Sequence, residues 1–219
     1  MREGILRLGN EQLAEVGAAG LSVREIARGL GVSSSAIYRH VADRDELLTL
    51  LIVDAYDDLA AAALDGTDAS SPPAERLARL ARGMRRWAVS NPARWALAYG
   101  SPVPGYAAPA ERTTGPGTLV MSAFVGLLAT GEAPADARAR EVSPGLAAEL
   151  AAGASELGIV GDGQRPVDAA LATAAVEAWV GLVGLVSAEI FEQLGAELAA
   201  CGEELLERWI ASTVARFRL

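Results

Sequence analysis

Near the amino terminus, signals that start and stop helices follow one another so closely that they leave room only for two short helices and a tight turn. Ser22 and Glu25 have the spacing of a capping box, in which each side chain can satisfy a backbone donor at a helix start. Gly31 permits a tight turn, and Ser33 can cap a second short helix over about 34–40. Two short helices joined by a glycine turn predict a helix-turn-helix.

The remainder of the chain also predicts helices. Hydrophobic residues make up 51% of the 219 residues, alanine is frequent, and β-branched runs with strict alternation are absent. The Gly- and Pro-rich stretch 101–117 predicts a long irregular connection. Apolar spacing and capping residues predict helices over about 2–16, 22–30, 34–40, 43–64, 72–90, 92–100, 118–129, 144–157, 167–194 and 202–217. We therefore expect an all-α protein.

The negative charge lies outside the amino-terminal region. The formal net charge is −9, yet residues 1–45 hold six arginines and six acidic residues, so residues 46–219 carry the whole excess, 13 arginines against 22 acidic residues. The chain has no lysine, so any permanent cation that contacts a phosphate is an arginine. The acidic part should repel nucleic acid, which leaves the amino-terminal region as the plausible contact surface.

The composition argues against several other classes of protein. Cys201 is the single cysteine, which excludes an intrachain disulfide and fits a reducing compartment. The amino terminus lacks the apolar core of a signal peptide, and the longest apolar stretch, 178–188, is shorter than the roughly 20 residues of a membrane span. One histidine and no grouped carboxylates supply neither a metal site nor a catalytic constellation. We expect a cytoplasmic protein that is not an enzyme and uses no cofactor.

The stretch LSVREIARGLGVSSSAIYRHVADRDELL, residues 21–48, resembles the DNA-binding signature of the tetracycline repressor (TetR) family of transcriptional regulators. The resemblance implies an amino-terminal three-helix domain with the helix-turn-helix at 1–45, followed by a helical effector-binding and dimerisation domain at 46–219. It also implies a homodimer on palindromic operator DNA, most commonly a repressor, that a small-molecule effector releases.

By the same resemblance, the helix that starts at Ser34 enters the major groove, where its amino-terminal end and small side chains allow close approach to DNA. Arg24 lies where some relatives read a base, and its fork can bind guanine bidentately. Phosphate contacts are implied for four residues, which are Tyr38, Arg39, His40 and Arg44. For each residue, a capping or solvated surface role is the alternative. The candidate DNA-binding residues are Arg24, Ser33, Ser34, Ser35, Tyr38, Arg39, His40 and Arg44.

The carboxyl-terminal part resembles a TetR subgroup whose last domain carries a Trp-His-Gly pattern. Trp179 and Gly184 fit it, but Val183 stands where the histidine is expected, so no role of that histidine is carried over. The resemblance implies that the last two long helices pair with their twofold mates in a four-helix interface. Between the subunits or beneath them we expect Trp179, Leu182, Val186, Ile190 and Trp209.

Aromatic and apolar residues gather on the predicted elements that form the ligand cavity in relatives, and such a cavity suits a hydrophobic effector. Plain core packing is an equally open interpretation of each. The candidates are Trp87, Trp95, Tyr99, Tyr106, Met121 and Phe124. Two other functions stay open: a ligand-binding protein of the same fold without specific DNA binding, which the uncharged amino-terminal region favours, and an enzyme, which the scarcity of histidine and cysteine disfavours.

Overall fold

A computed structural model describes residues 1–66, 68–159 and 167–219, and the regular structure of these ranges is helical. The predicted all-α class is confirmed. A 3-10 turn at Ala18–Gly20 separates the first two of the helices. The helices are α1 Arg2–Val16, α2 Val23–Gly29, α3 Ser34–Ile37, α4 Arg44–Leu64, α5 Pro73–Ser90, α6 Pro92–Tyr99, α7 Ala110–Leu128, α8 Ala135–Arg138, α9 Pro144–Glu156, α10 Ala169–Ile190, α11 Ala196–Ala199 and α12 Gly202–Phe217.

Packing divides the chain into two compact units. Unit 1 comprises residues 1–60 and 88–117, and unit 2 comprises residues 61–87 and 118–219. Helices α4, α5 and α7 therefore contribute residues to both units. The partition follows packing and not function, so the functional division after residue 45 stays a prediction.

The core of unit 1 joins the first four helices. The helical spacing of apolar residues on α1, α2 and α4 places one face of each against the others. A cluster of polar side chains also connects α1, α4 and α6. Arg94 of α6 donates hydrogen bonds to Asp54 and Asp58 of α4, and Asn10 of α1 donates a hydrogen bond to Asp54. The buried core residues are Ile5, Leu13, Leu21, Val23, Ile26, Ala27, Ile37, Val41, Leu47, Leu48 and Leu51.

Unit 2 is built around α10, which contacts α8, α9, α11 and α12. By length and mean hydropathy, 1.8 over 18 residues, α10 could cross a membrane, although its uninterrupted apolar stretch, 178–188, is shorter than a membrane span. Its packing against four helices explains part of this apolar character, since Leu182 and Val186 are fully buried within the chain, whereas Val180 is exposed. Gly83 of α5 lets the backbone of α4 approach closely, because a Cβ there would lie 2.5 Å from the carbonyl oxygen of Ala62.

Two ion pairs join α5 to the carboxyl-terminal helices. Arg85 donates two hydrogen bonds to Glu189 of α10, and Arg82 donates two to Glu207 of α12. The first pair is mostly buried and the second is exposed. Gly202, the first residue of α12, is buried against the carboxylate of Glu189.

The predicted irregular connection is wrong in its second half, because α7 begins before Pro116 and passes through it. Proline removes one backbone hydrogen bond, which usually ends a helix. Here the first turns are held by the ion pair of Arg112 with Glu46, at 2.5 Å, and by close packing further along. A Cβ at Gly117 would lie 3.0 Å from the ring of Tyr56, so the small residue beside the proline permits the contact.

Other helix bounds differ by a turn or less. The structure ends α3 at Ile37 and continues as a turn over 38–40, whereas the sequence predicts a helix to His40. It ends α10 at Ile190 and not near 194. The one-turn helices α8 and α11 have no counterpart in the sequence prediction, because four residues are too few for a periodic apolar pattern.

Candidate nucleic-acid interface

Helix α2 starts at a cap that the sequence predicts only in part. The backbone N–H of Glu25 donates to the Ser22 hydroxyl at 3.3 Å, as expected for an N-cap. The reciprocal half of the capping box is absent, because the Ser22 N–H donates to Oε1 of Gln12 at 3.0 Å and the Glu25 carboxylate pairs with Arg28. The start of α2 is thus tied to α1.

The turn between α2 and α3 depends on Gly31, whose φ of 66° lies in the left-handed region that favours glycine. The N–H of Val32 then donates to the carbonyl oxygen of Ala27 at 3.0 Å, which closes the turn. Ser33 caps α3 by accepting from the N–H of Ala36, and its hydroxyl lies 3.0 Å from that of Ser35. Ser33 therefore sets the start of α3 and is already engaged within the chain.

One face of the helix-turn-helix is buried and the other is open. Ile26, Ile37 and Val41 are at most 1% exposed, which fixes the orientation of α3 and of the turn after it. The exposed side chains on the opposite face include most of the candidates predicted from the sequence. They are Arg24, Ser34, Ser35, Tyr38, Arg39 and His40.

Arg24 and Arg39 are available to a partner outside the chain, whereas Arg7 and Arg28 are not. Arg7 pairs with Glu11 and Arg28 pairs with Glu25, on exposed helix faces. Within the described ranges no hydrogen bond or ion pair engages the side chain of Arg24 or of Arg39. Although residues 1–45 have no net charge, the helix-turn-helix therefore presents two unpaired cations, Arg24 and Arg39.

Arg44 differs from the other candidates because it is half-buried and has a partner within the chain. Its Nη2 donates to the carbonyl oxygen of Ala18 at 2.9 Å, which ties the start of α4 to the 3-10 turn after α1. Asp43 caps α4 through Oδ1, which accepts from the N–H of Glu46 at 2.8 Å. Arg44 thus supports the arrangement of the helices around the interface.

Three of the candidate ligand residues lie in unit 1, where they pack closely. Trp95 is fully buried and stacks on Tyr99 with ring centroids 4.4 Å apart, and Tyr99 meets Tyr56 edge to face at 6.2 Å. Burial raises the pKa of both Tyr56 and Tyr99 above the ordinary value of 10.0. The Tyr106 hydroxyl lies 2.9 Å from that of Thr49, which is 1% exposed.

The other three candidates lie in unit 2. Phe124 is fully buried between Trp179, at a centroid distance of 5.6 Å, and Trp209, at 6.0 Å, and Trp87 is 6% exposed. Met121 lines an apolar cavity of about 120 Å³ among α7, α9 and α10. The six candidates are thus divided between two compact units, and their role in binding a ligand stays a prediction.

Sequence reasoning missed two features of these units. Tyr56 belongs to the aromatic cluster of unit 1, and Thr49 forms a hydrogen bond with Tyr106. Thr49 could have been recognised as a polar residue within the apolar stripe of α4. A second cavity of unit 2, about 240 Å³ among α4, α5 and α7, includes Arg76, for which no sequence motif exists. In the ranges that the structure describes, no group of three or more His, Cys, Asp or Glu side chains could hold a metal ion.

Comparison with known protein families places this arrangement in context. The family model described as "Bacterial regulatory proteins, tetR family" matches residues 5–51, which include α2, the turn and α3. The model described as "Tetracyclin repressor-like, C-terminal domain" matches residues 77–213. The chain belongs to the TetR family of transcriptional regulators, with an amino-terminal DNA-binding domain and a carboxyl-terminal ligand-binding domain.

Individual relatives agree with this assignment. The chain is 48% identical to the HTH-type transcriptional regulator Rv1816 of Mycobacterium tuberculosis over 199 residues, which cover 89% of this chain and 82% of the relative. It is 36% identical over 76 residues to the HTH-type transcriptional repressor KstR2 of the same species, covering 35% of this chain and 38% of that one. The crystal structure of putative regulatory protein SCO4313 superposes with a TM-score of 0.74 at 31% identity, covering 98% and 95% of the two chains. Membership of the Trp-His-Gly subgroup stays a prediction.

Proposed function

We propose that this protein is a cytoplasmic, homodimeric repressor that binds a palindromic operator and is released by a small hydrophobic effector. The observation that carries the proposal is the open face of the helix-turn-helix. Arg24, Tyr38, Arg39 and His40 project from a fully buried core, and within the described residues none is engaged by another side chain. Such side chains suit a partner outside the chain.

The candidates divide by the contact that each can make. Arg24 offers a planar fork for the O6 and N7 atoms of a guanine. Tyr38, Arg39 and His40 reach phosphates, and Ser34 and Ser35 allow close approach of α3 to the groove. In this proposal Ser33 contributes through its cap on α3, and Arg44 contributes chiefly by holding α4 against the preceding turn.

Dimerisation is supported by an apolar surface on α10. Val176 and Val180 are 39% and 62% exposed, and Gly184 on the same helix is also open. Trp179 and Leu182 are buried within the chain, which supports a place below the interface for these two residues. A twofold pair of recognition helices would read two half-sites about 34–36 Å apart.

Repression and its release are the family's common mode, and KstR2, to which part of this chain is similar, is called a repressor. The effector would bind preferentially to a state with the wrong separation of recognition helices and so reduce the population that fits DNA. Linkage requires that operator DNA weaken effector binding by the same factor. Two cavities of unit 2 with apolar walls, one of them beside Met121, support the choice of an effector with a hydrophobic part.

The test is selection of bound sequences from a random DNA library, followed by titration of the enriched site and a scrambled control at two salt concentrations. We expect a palindrome, with Arg24→Ala losing about 1–3 kcal/mol of binding and relaxing one base position in each half-site. Arg28→Ala is the matched control, because Arg28 is exposed on the same helix but already pairs with Glu25. Arg39→Ala should weaken binding to all sequences alike and flatten the salt dependence.

The alternative is a ligand-binding protein of the same fold that lacks specific DNA binding. The balanced charge of residues 1–45 favours it. Equal, weak binding to the enriched and scrambled sites, unchanged by Arg24→Ala or Tyr38→Ala, would establish this alternative and reject the repressor.

A further inference from the structure

The second cavity of unit 2 combines an apolar wall with one cation. It has a volume of about 240 Å³, and its lining includes Leu80 of α5 and Leu127 of α7, both nearly or fully buried. Arg76 lies one helical turn before Leu80, so its side chain is on the same face of α5 and lines the same space. Thr130 also lines the cavity but uses its hydroxyl to donate to the carbonyl oxygen of Leu127.

Arg76 is unlike the other arginines of unit 2. Its Nε is buried and has no hydrogen-bond partner. Arg79, Arg82, Arg85, Arg216 and Arg218 all pair with carboxylates. Four other arginines among the described residues of this unit have no carboxylate partner but are exposed to solvent. They are Arg86, Arg138, Arg140 and Arg208. A partly buried guanidinium that has no carboxylate partner is unfavourable, and an anion in the cavity that Arg76 lines would supply one.

The nearby carboxylate of Asp68 does not fill this role. It accepts a hydrogen bond from the N–H of Ser70 at 3.0 Å, and that bond contributes most to lowering the pKa of Asp68, ahead of its attraction to Arg76. The Arg76 guanidinium thus has no carboxylate partner among the residues that the structure describes.

The size of the cavity limits what can bind. At about 30 Å³ for each water molecule, 240 Å³ corresponds to roughly eight waters, or a molecule of on the order of ten non-hydrogen atoms. Gly126 contributes to the wall, and a Cβ placed on it would meet no atom within 4 Å. The space beside Gly126 is therefore open to a ligand's apolar part.

We infer that this cavity binds a small organic monocarboxylate, whose carboxylate accepts hydrogen bonds from Arg76 while its apolar part lies against Leu80, Leu127 and Gly126. The inference rests on the proposed effector-controlled function and assigns the effector a charged end in addition to its hydrophobic part. Arginine binds carboxylates in a planar, charge-assisted arrangement that a neutral group cannot reproduce.

The test is isothermal titration of the full chain with straight-chain monocarboxylates of four to ten carbons, at fixed ionic strength, beside the matching primary amides. We expect at least one acid to bind and its amide to bind at least about tenfold more weakly. Arg76→Gln should weaken binding of the acid about tenfold or more, while Arg86→Gln on the same helix removes an equal charge and should change it less than about twofold. Gly126→Leu should block binding by filling the cavity, whereas Gly153→Leu fills only the 120 Å³ cavity beside α9.

Several outcomes would overturn the inference. They are no binding by any acid, equal binding by acid and amide, equal binding by wild type and Arg76→Gln, or a block by Gly153→Leu and not by Gly126→Leu. Thermal unfolding of each variant verifies that it is folded, and the amide comparison needs no substitution. Titration with operator DNA in the absence of ligand tests the proposed repressor function separately. If the acid binds but specific DNA binding is absent, the proposal of a repressor is rejected and the proposal of a carboxylate site stands.

Discussion

Replacing Arg85 with methionine tests whether burial decides how much an ion pair stabilises unit 2. The Arg85 guanidinium donates to both carboxylate oxygens of Glu189, at 2.7 and 2.8 Å, and the two side chains are only 17% and 14% exposed. Methionine retains most of the apolar stem but leaves the carboxylate without these donors where water has little access. We expect the free energy of unfolding to fall by about 3 kcal/mol.

The matched control is Arg82→Met on the same helix. Arg82 also donates two hydrogen bonds to one carboxylate, that of Glu207, both at 2.6 Å, but these side chains are 46% and 41% exposed. Water and salt screen such a pair, and water replaces the lost hydrogen bonds. The expected loss is therefore only about 0.5 kcal/mol.

Urea unfolding followed by tryptophan fluorescence, at one protein concentration, measures both losses. With a denaturant slope of about 2 kcal/mol per molar urea, the two variants should shift the midpoint by about 1.5 M and 0.25 M. The double variant Arg85→Met with Glu189→Met should recover most of the larger loss, because no unpaired buried charge remains. Equal losses for Arg85→Met and Arg82→Met, or a double variant as unstable as the single one, would refute the reasoning from burial.

Three further substitutions or titrations test other contacts. Gly83→Ala should lower the free energy of unfolding by about 1–2 kcal/mol, because the new methyl group would press on the backbone of α4. Gly153→Ala, where the methyl group enters open space, should raise the free energy of unfolding by about 0.5–1 kcal/mol. Chemical denaturation of both variants shows whether the two changes have opposite signs. Since burial raises the pKa of Tyr56 and Tyr99 in the folded state, the unfolded chain loses these protons first, and the urea midpoint should fall as pH rises above about 10. A flat profile from pH 9 to 11.5 would contradict this. Arg44→Lys keeps the charge but not the planar guanidinium group, so it should lower the free energy of unfolding by about 1 kcal/mol and leave the salt dependence of DNA binding unchanged. An unchanged free energy of unfolding would show that the hydrogen bond to the 3-10 turn contributes nothing.

The helix-turn-helix could be predicted from sequence because its determinants are local. Ser22, Ser33 and Asp43 each cap the helix that follows, and Gly31 adopts the positive φ that the turn requires. These interactions span at most a few residues, so their spacing along the chain specifies them. The reciprocal half of the capping box failed for the opposite reason, since its place is taken by Gln12 from another helix.

Long-range contacts explain what the sequence did not predict. Pro116 lies within α7, and the contacts that hold this helix reach back to α4, as in the pairing of Arg112 with Glu46. The candidate ligand residues could not be assigned from the sequence for the same reason. An aromatic residue such as Trp95 or Phe124 gives the same sequence pattern whether it lines a cavity or fills a core. Arg76 has no motif at all, and only the packing of three helices shows that its Nε lacks a partner.

The first residue of α12 also constrains how this protein can evolve. A side chain at position 202 would overlap the carboxylate of Glu189, and that carboxylate cannot swing aside while Arg85 holds both of its oxygens. Mutations at these three positions are therefore ordered in time. A lineage can replace Gly202 only after the acidic residue at 189 has shortened or disappeared, and losing either partner of the ion pair alone leaves the other charge buried without a partner. Related sequences that carry a side chain at position 202 should therefore lack both the glutamate and the arginine.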